Sequence, residues 1–295
     1  MKKQTAILLT LLTLAMMLTA GCGDSHSVPP FTQVAFLSNR TVVPATNLFS
    51  SKLDGTSVTP VPLTGSNAYY ASLSADAKKV AFYLQSDAWV QNADGTGVLN
   101  LTTNSSSASE VNFVRISPNA KQVIYGENND EHLHIINVDG TGDVDLTPTL
   151  PTGMTDCYSA GFSSDNKKIA FVCEGAGVFG IYTVKPDGTG TTTVTATRTV
   201  WTDLPSFTPD GKKIVFVGFD TTNSVYDVES VSLDSSGNAV LVSNTYEAVV
   251  LNSTLYYTFN DTNLELNQVY KASLDGTNAV SISDGLHDDY LGLAQ

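Results

Sequence analysis

The chain has 295 residues, with 29 acidic against 15 basic side chains and a formal net charge of −14. That balance excludes a nucleic-acid partner, because phosphate recognition needs a basic face. It bears on solubility and on the steering of cationic partners rather than on fold.

Met1-Lys2-Lys3 leads into an apolar stretch from Ala6 to Leu18 and then Thr19-Ala20-Gly21-Cys22. A basic start, a short apolar core and small residues before a cleavage point predict an export signal over residues 1–21, too short for a comfortable membrane span. Cys22 after Ala-Gly resembles a bacterial lipobox, which makes Cys22 the expected lipidation site, membrane anchor and mature N-terminus. Gly23 next to it implies the outer membrane, on the periplasmic side. Residues 22–31 are short and mostly polar, with Pro29-Pro30 near the end, and are expected to form a tether.

From residue 32 to residue 295 one phrase recurs six times, ending each time in an Asp-led turn and an aliphatic-hydroxyl pair. The turns begin at Asp54, Asp94, Asp139, Asp187, Asp234 and Asp275, spaced 40, 45, 48, 47 and 41 residues apart. A repeat of this length, built from short strands and tight turns, predicts an all-β fold: a six-bladed β-propeller of four-stranded antiparallel blades.

Within each repeat the second strand is apolar on both faces, as in Val80-Ala81-Phe82, Ile169-Ala170-Phe171 and Ile214-Val215-Phe216. Such runs belong to sheets buried between neighbours. The third strand carries an aliphatic-aromatic step or its substitute: Leu48-Phe49, Ala88-Trp89, Leu133-His134, Ile181-Tyr182, Val228-Glu229 and Val269-Tyr270. Asp-Gly-Thr opens five of the six hairpins that follow, Gly supplying a positive φ, whereas the fifth reads Asp234-Ser235-Ser236-Gly237. The first repeat lacks a first strand, so the segment Asp289 to Gln295 is expected to supply it and close the ring, removing two open sheet edges.

Thr208 to Phe216 and Ile181 to Thr189 resemble the Ser-Pro-Asp-Gly-Lys-Lys-Ile-Ala-Phe and Ile-Tyr…Asp-Gly-Thr pattern of the TolB-like, WD40-like (PD40) propeller repeats. The resemblance covers residues 32–295. It implies the fold more than a function, because such propellers serve scaffolds, peptidase gates and lyases alike. The α/β domain that TolB proteins carry ahead of the propeller has no counterpart before Val34, so no Tol-Pal role is implied.

Candidate chemistry is sparse. The six turn aspartates cap their own backbone. His132 and His134 have metal-ligand spacing, but His134 stands where other repeats place an aromatic, so no metal site and no cofactor are expected. No Gly-x-Ser-x-Gly elbow occurs, and no catalytic residue is assigned. Cys157 and Cys173 flank the turn at Ser164-Asp165-Asn166; they are either a disulfide, which an exported protein can keep, or two buried thiols. Tyr69, Tyr70, Asp156, Trp201, Asp203, Asp289 and Tyr290 fall near the starts of innermost strands, around one mouth of the channel. Long loops such as Phe219–Tyr226 and Asn260–Asn267 share that face. Aromatics mixed with acids suit a protein or polysaccharide contact, although the same rings could pack between blades. The expected function is therefore a non-enzymatic, envelope-anchored binding or scaffold module. The alternative is a metal-dependent propeller enzyme of the carbohydrate lyase or lactonase type.

Overall fold

The computed structural model describes residues 30–38, 48–65, 69–102, 111–127, 131–147, 150–198, 202–261 and 266–291. Within them lie six four-stranded antiparallel sheets, one per repeat. Innermost to outermost, blade 4 runs Asp156–Phe162, Ile169–Gly175, Val178–Val184 and Thr192–Arg198. Blade 1 is composite: Asp289–Tyr290 lies beside Gln33–Ser38, followed by Leu48–Lys52 and Thr59–Pro60.

The aliphatic-aromatic step acquires its physical meaning in the register of the second and third strands. Phe36 faces Phe49, Phe82 faces Trp89, Tyr125 faces His134, Phe171 faces Tyr182 and Tyr257 faces Tyr270. Four of these pairs stack, with ring centroids 5.3 to 6.1 Å apart. Aromatic cross-strand pairs add about 0.5–1.5 kcal/mol each beyond the area they bury. His134 thus takes the place of an aromatic ring, as its sequence position predicts. In blade 5 the slot facing Phe216 holds Glu229, which instead accepts a hydrogen bond from Asn238 Nδ2 at 3.0 Å.

The hairpins between third and fourth strands are equally regular. In all six, the Asp Oδ1 accepts both the backbone N–H, at 2.9 or 3.0 Å, and the hydroxyl, at 2.6 Å, of the residue two places on. These bonds hold the six carboxyls below their ordinary value of 3.8, the hydroxyl bond contributing most. The glycine of this turn abuts the preceding blade: a Cβ on Gly55 would meet Ile282, and one on Gly276 would meet the Leu241 carbonyl. The exceptional Ser235 makes the same junction by another means, its hydroxyl donating to the Val194 carbonyl of blade 4.

A second belt joins the turns between first and second strands on the same face. Ala75 N donates to Pro118 O at 3.0 Å, Asn119 N to Asn166 Oδ1 at 3.3 Å, and Ser164 Oγ to Pro209 O at 3.5 Å. The segment at Phe31–Thr32 extends it to blade 6. Phe31 N donates to Asn252 Oδ1 and Asn252 Nδ2 to Phe31 O, both at 2.9 Å, while Thr32 N donates to Ala75 O at 3.0 Å.

At the ring's junction, Ser38 pairs with Asp289 and Leu37 with Tyr290. The backbone N–H of Leu291 donates to Thr258 Oγ1 at 3.0 Å, and that hydroxyl donates to Glu247 Oε2 at 2.7 Å. Thr258 therefore ties blade 6 to the C-terminal strand from a fully buried position. Thr258→Val keeps the shape and removes both bonds. Urea denaturation is expected to show a loss of about 1–3 kcal/mol, the cost of a buried donor left without its partner, with Thr258→Ser restoring most of it.

Candidate functional site

Innermost strands surround the axial channel, and in blades 2 to 5 each of them slips register part-way along. Such bulges kink a strand and re-aim its side chains. In blade 2 the irregularity puts Tyr70 at φ 51, a strained conformation for a bulky residue. Its half-buried ring packs against the cluster containing Phe113 and Cys157 and stands edge-on to Tyr83 at 6.3 Å. Tyr70 is thus as much a packing residue as a mouth residue.

The other predicted mouth residues divide. Asp156 opens the innermost strand of blade 4 directly opposite Glu174, and Cys157 N donates to Glu131 O at 2.8 Å, drawing a third acid to the same corner. Burial first, then the charges of Glu131 and Glu174, push the Asp156 carboxyl above its ordinary value. Like charges directly opposite one another cost stability. Asp289 is fully buried against blade 1, so in the free protein it belongs to the ring closure rather than to an exposed contact. Tyr69, Asp203 and Tyr290 have their backbones at the starts of innermost strands, at the same channel end. Trp201 and Cys22 lie outside the described residues.

The mouth's surroundings are uneven, a feature that spacing alone did not convey. Second and third strands have five or six residues in blades 1 to 3, seven in blade 4 and eight in blades 5 and 6. Much of what reads as loop in Phe219–Tyr226 and Asn260–Asn267 is strand, with pairing carried out to Asp220–Val225 and Asp261–Leu266. These two hairpins form a ridge on one side of the face. Tyr226 is 39% exposed at its end, with Phe219 beside it at 4.9 Å. Tyr246, 38% exposed in the connection to blade 6, leans on the same ridge through Tyr246 Oη and Asn267 Oδ1 at 2.9 Å.

A cavity lies at the opposite end of the channel, toward the turns between first and second strands, where the sequence reading placed nothing. It encloses about 530 Å³ and is lined by the ends of the innermost strands and by Phe31. Arg115 is the one charged residue in the strand Val-Asn-Phe-Val-Arg-Ile, and this was the sequence signal pointing there.

Neither a family model nor any curated protein matches the sequence. Solved structures do. TolB from Acinetobacter baumannii superposes with a TM-score of 0.65 at 18% identity, over 83% of this chain and 62% of that one. A putative TolB from Agrobacterium tumefaciens gives 0.60 at 18% identity over 76% and 89%. An oligogalacturonate lyase in complex with manganese gives 0.56 at 11% identity over 85% and 75%. The fold is that of a TolB-like propeller.

In this TolB-like propeller two of the described histidines lie within hydrogen-bond distance of a carboxylate and a third lies farther from one. His132 Nδ1 lies 2.9 Å from Asp145 Oδ2, His287 Nδ1 lies 2.9 Å from Asp284 Oδ2, and His134 Nδ1 lies 3.8 Å from Asp143 Oδ1. Among the described residues no group of three or more His, Cys, Asp or Glu is placed to hold a metal ion. Cys157 and Cys173 face each other across the strand pair and form a disulfide, both buried in the core between blades 3 and 4.

Two outcomes follow from these charges and bonds. Because the folded Asp156 carboxyl is raised above 3.8, its ionisation costs stability above that folded value. Asp156→Asn should therefore raise the melting temperature at neutral pH, and the gain should vanish in acid below 3.8. The double replacement Cys157→Ala, Cys173→Ala should lower stability in urea by about 3 kcal/mol, the value for closing a loop of this size.

Proposed function

We propose that the chain is an exported, lipid-anchored propeller that binds an envelope protein without transforming it. Export and anchoring rest on the signal pattern of residues 1–21 and on Cys22. The observation that carries the binding reading is the ridge of blades 5 and 6, where a lengthened hairpin and the connection beside it leave Tyr226 and Tyr246 partly exposed near the channel mouth. Exposed tyrosines on rigid strands give large contact area at low ordering cost, the feature of interface anchors. The Asp156 corner supports the same reading. Three carboxylates held together against their own repulsion suit a cationic group on a partner.

Envelope protein is the first ligand class by this reading and polysaccharide the second. In-cell crosslinking of the tagged chain, followed by affinity recovery, is expected to yield a reproducible envelope protein. Tyr226→Ala with Tyr246→Ala should reduce that recovery at least tenfold while leaving the melting temperature unchanged. Equal recovery with the double variant would overturn the ridge as the site. Cys22→Ser should move the protein from the detergent phase to the aqueous phase. Stoichiometric divalent metal on the purified protein, with stability lost in chelator, would instead favour the lyase or lactonase alternative.

A further inference from the structure

We propose that the axial cavity at the turn end of the channel binds a free anionic amphiphile, a linear alkyl chain ending in a carboxylate, with Arg115 holding the head group. The volume is suitable. A cavity of about 530 Å³ falls within the range of small-molecule sites. A twelve-carbon carboxylate occupies on the order of 400 Å³, at about 30 Å³ per non-hydrogen atom.

Its walls are largely apolar because the innermost strands of blades 2 to 6 bring Leu73, Ile116, Phe162, Phe207 and Leu251 there, and Leu291 follows that of blade 1. Small residues, Ala71, Ala160 and Ala248, also border the cavity. The mouth is preformed, with Phe31 on its rim held by two hydrogen bonds to Asn252. A preformed, largely apolar wall selects an alkyl chain over a hydrated ligand.

Charge then selects the head group. Arg115 and Asp165 are the two charged residues on the lining. Asp165 is committed to its own turn, where Oδ1 accepts Ser163 Oγ at 2.7 Å and Lys167 N at 3.0 Å. Arg115 comes from the innermost strand of blade 3, borders the cavity, and donates from one of its nitrogens to Val114 O at 3.1 Å. A guanidinium at an apolar surface pairs with carboxylate in a fork geometry that lysine does not offer. In a chain of net charge −14, this placement runs against the global field and so acts at contact range.

The proposal concerns the end of the channel opposite the ridge, so either reading can fail while the other stands. Calorimetric titration of the mature protein with sodium dodecanoate, below its micelle-forming concentration, is expected to show one saturable site. Dodecanol, with the same chain and no charge, should bind about tenfold to a hundredfold more weakly, the worth of a charge-assisted hydrogen bond. Arg115→Gln should weaken dodecanoate to the level of dodecanol and leave dodecanol unchanged. Val249→Phe, at a half-buried wall position, should abolish both ligands at an unaltered melting temperature. Absence of dodecanoate binding, or equal affinity for dodecanoate and dodecanol in the unsubstituted protein, would overturn the proposal. Flotation with anionic phospholipid vesicles that depends on Arg115 would assign the head group to a bilayer lipid and overturn it as well.

Discussion

A ring of sheets requires the last sheet to meet the first, and every other contact in this molecule presupposes that junction. Here it is made at three radii. Near the axis, Asp289–Tyr290 pairs with Gln33–Ser38, and Thr258 reaches from blade 6 to the Leu291 N–H. At the turn face, Phe31 and Asn252 exchange two hydrogen bonds. At the rim, Gly55 sits against Ile282, and Tyr256 donates to Leu53 O at 3.0 Å, its phenol pushed up to about 12 by burial and by the Asp54 charge. Between these levels Val34, Phe36, Phe49, Leu251, Val269 and Leu291 form one apolar cluster. Hydrogen bonds fix the register of the junction, while burial of that cluster provides most of its free energy.

Much of this was legible in the sequence because each blade must repeat the same physical solution. A third-strand aromatic recurs since it faces a second-strand aromatic across the pair. Where the letter changes, the role can still be read: His134 stacks on Tyr125 at 5.3 Å, much as Tyr182 stacks on Phe171. The fifth hairpin illustrates the same point from the other side. Glycine elsewhere lets one turn approach the preceding blade, and Ser235 exchanges that close approach for a hydrogen bond to Val194 O. Ser236 meanwhile keeps the hydroxyl that Asp234 needs. A departure in sequence left the interaction intact.

What sequence spacing could not convey is convergence. Glu131, Asp156 and Glu174 come from three separate positions and meet because Cys157 N reaches the Glu131 carbonyl while Asp156 faces Glu174. From the turn alone the cysteines could be a disulfide or two thiols, and the pairing places them directly opposite. Bulges in four innermost strands shift which side chains turn toward the channel, so alternation counted along Tyr69–Leu73 or Asp156–Phe162 misassigns them. Asp289 shows the error most clearly. By position it belongs to a mouth, yet strand pairing buries it completely.

The two faces of the propeller therefore stand under different constraints. On one, the turns between first and second strands and those between third and fourth strands each touch the neighbouring blade, through Ala75, Asn119 and Ser164 in the inner belt and Gly55, Gly276 and Ser235 in the outer. A residue added to such a turn would break a contact that holds the ring; the outer turns keep one spacing from Ser50↔Thr59 to Lys271↔Val280, while blade 6 shortens its inner turn to Asn252-Ser253. On the other face, a hairpin can lengthen by continuing its own strand pairing, as blades 5 and 6 do, with each added pair satisfying its own backbone groups. Variation in shape can accumulate only there, and that is where recognition of a large partner can be built without cost to closure. The turn face is left with an opening on the axis, walled by strand ends, whose chemistry changes through single side chains such as Arg115.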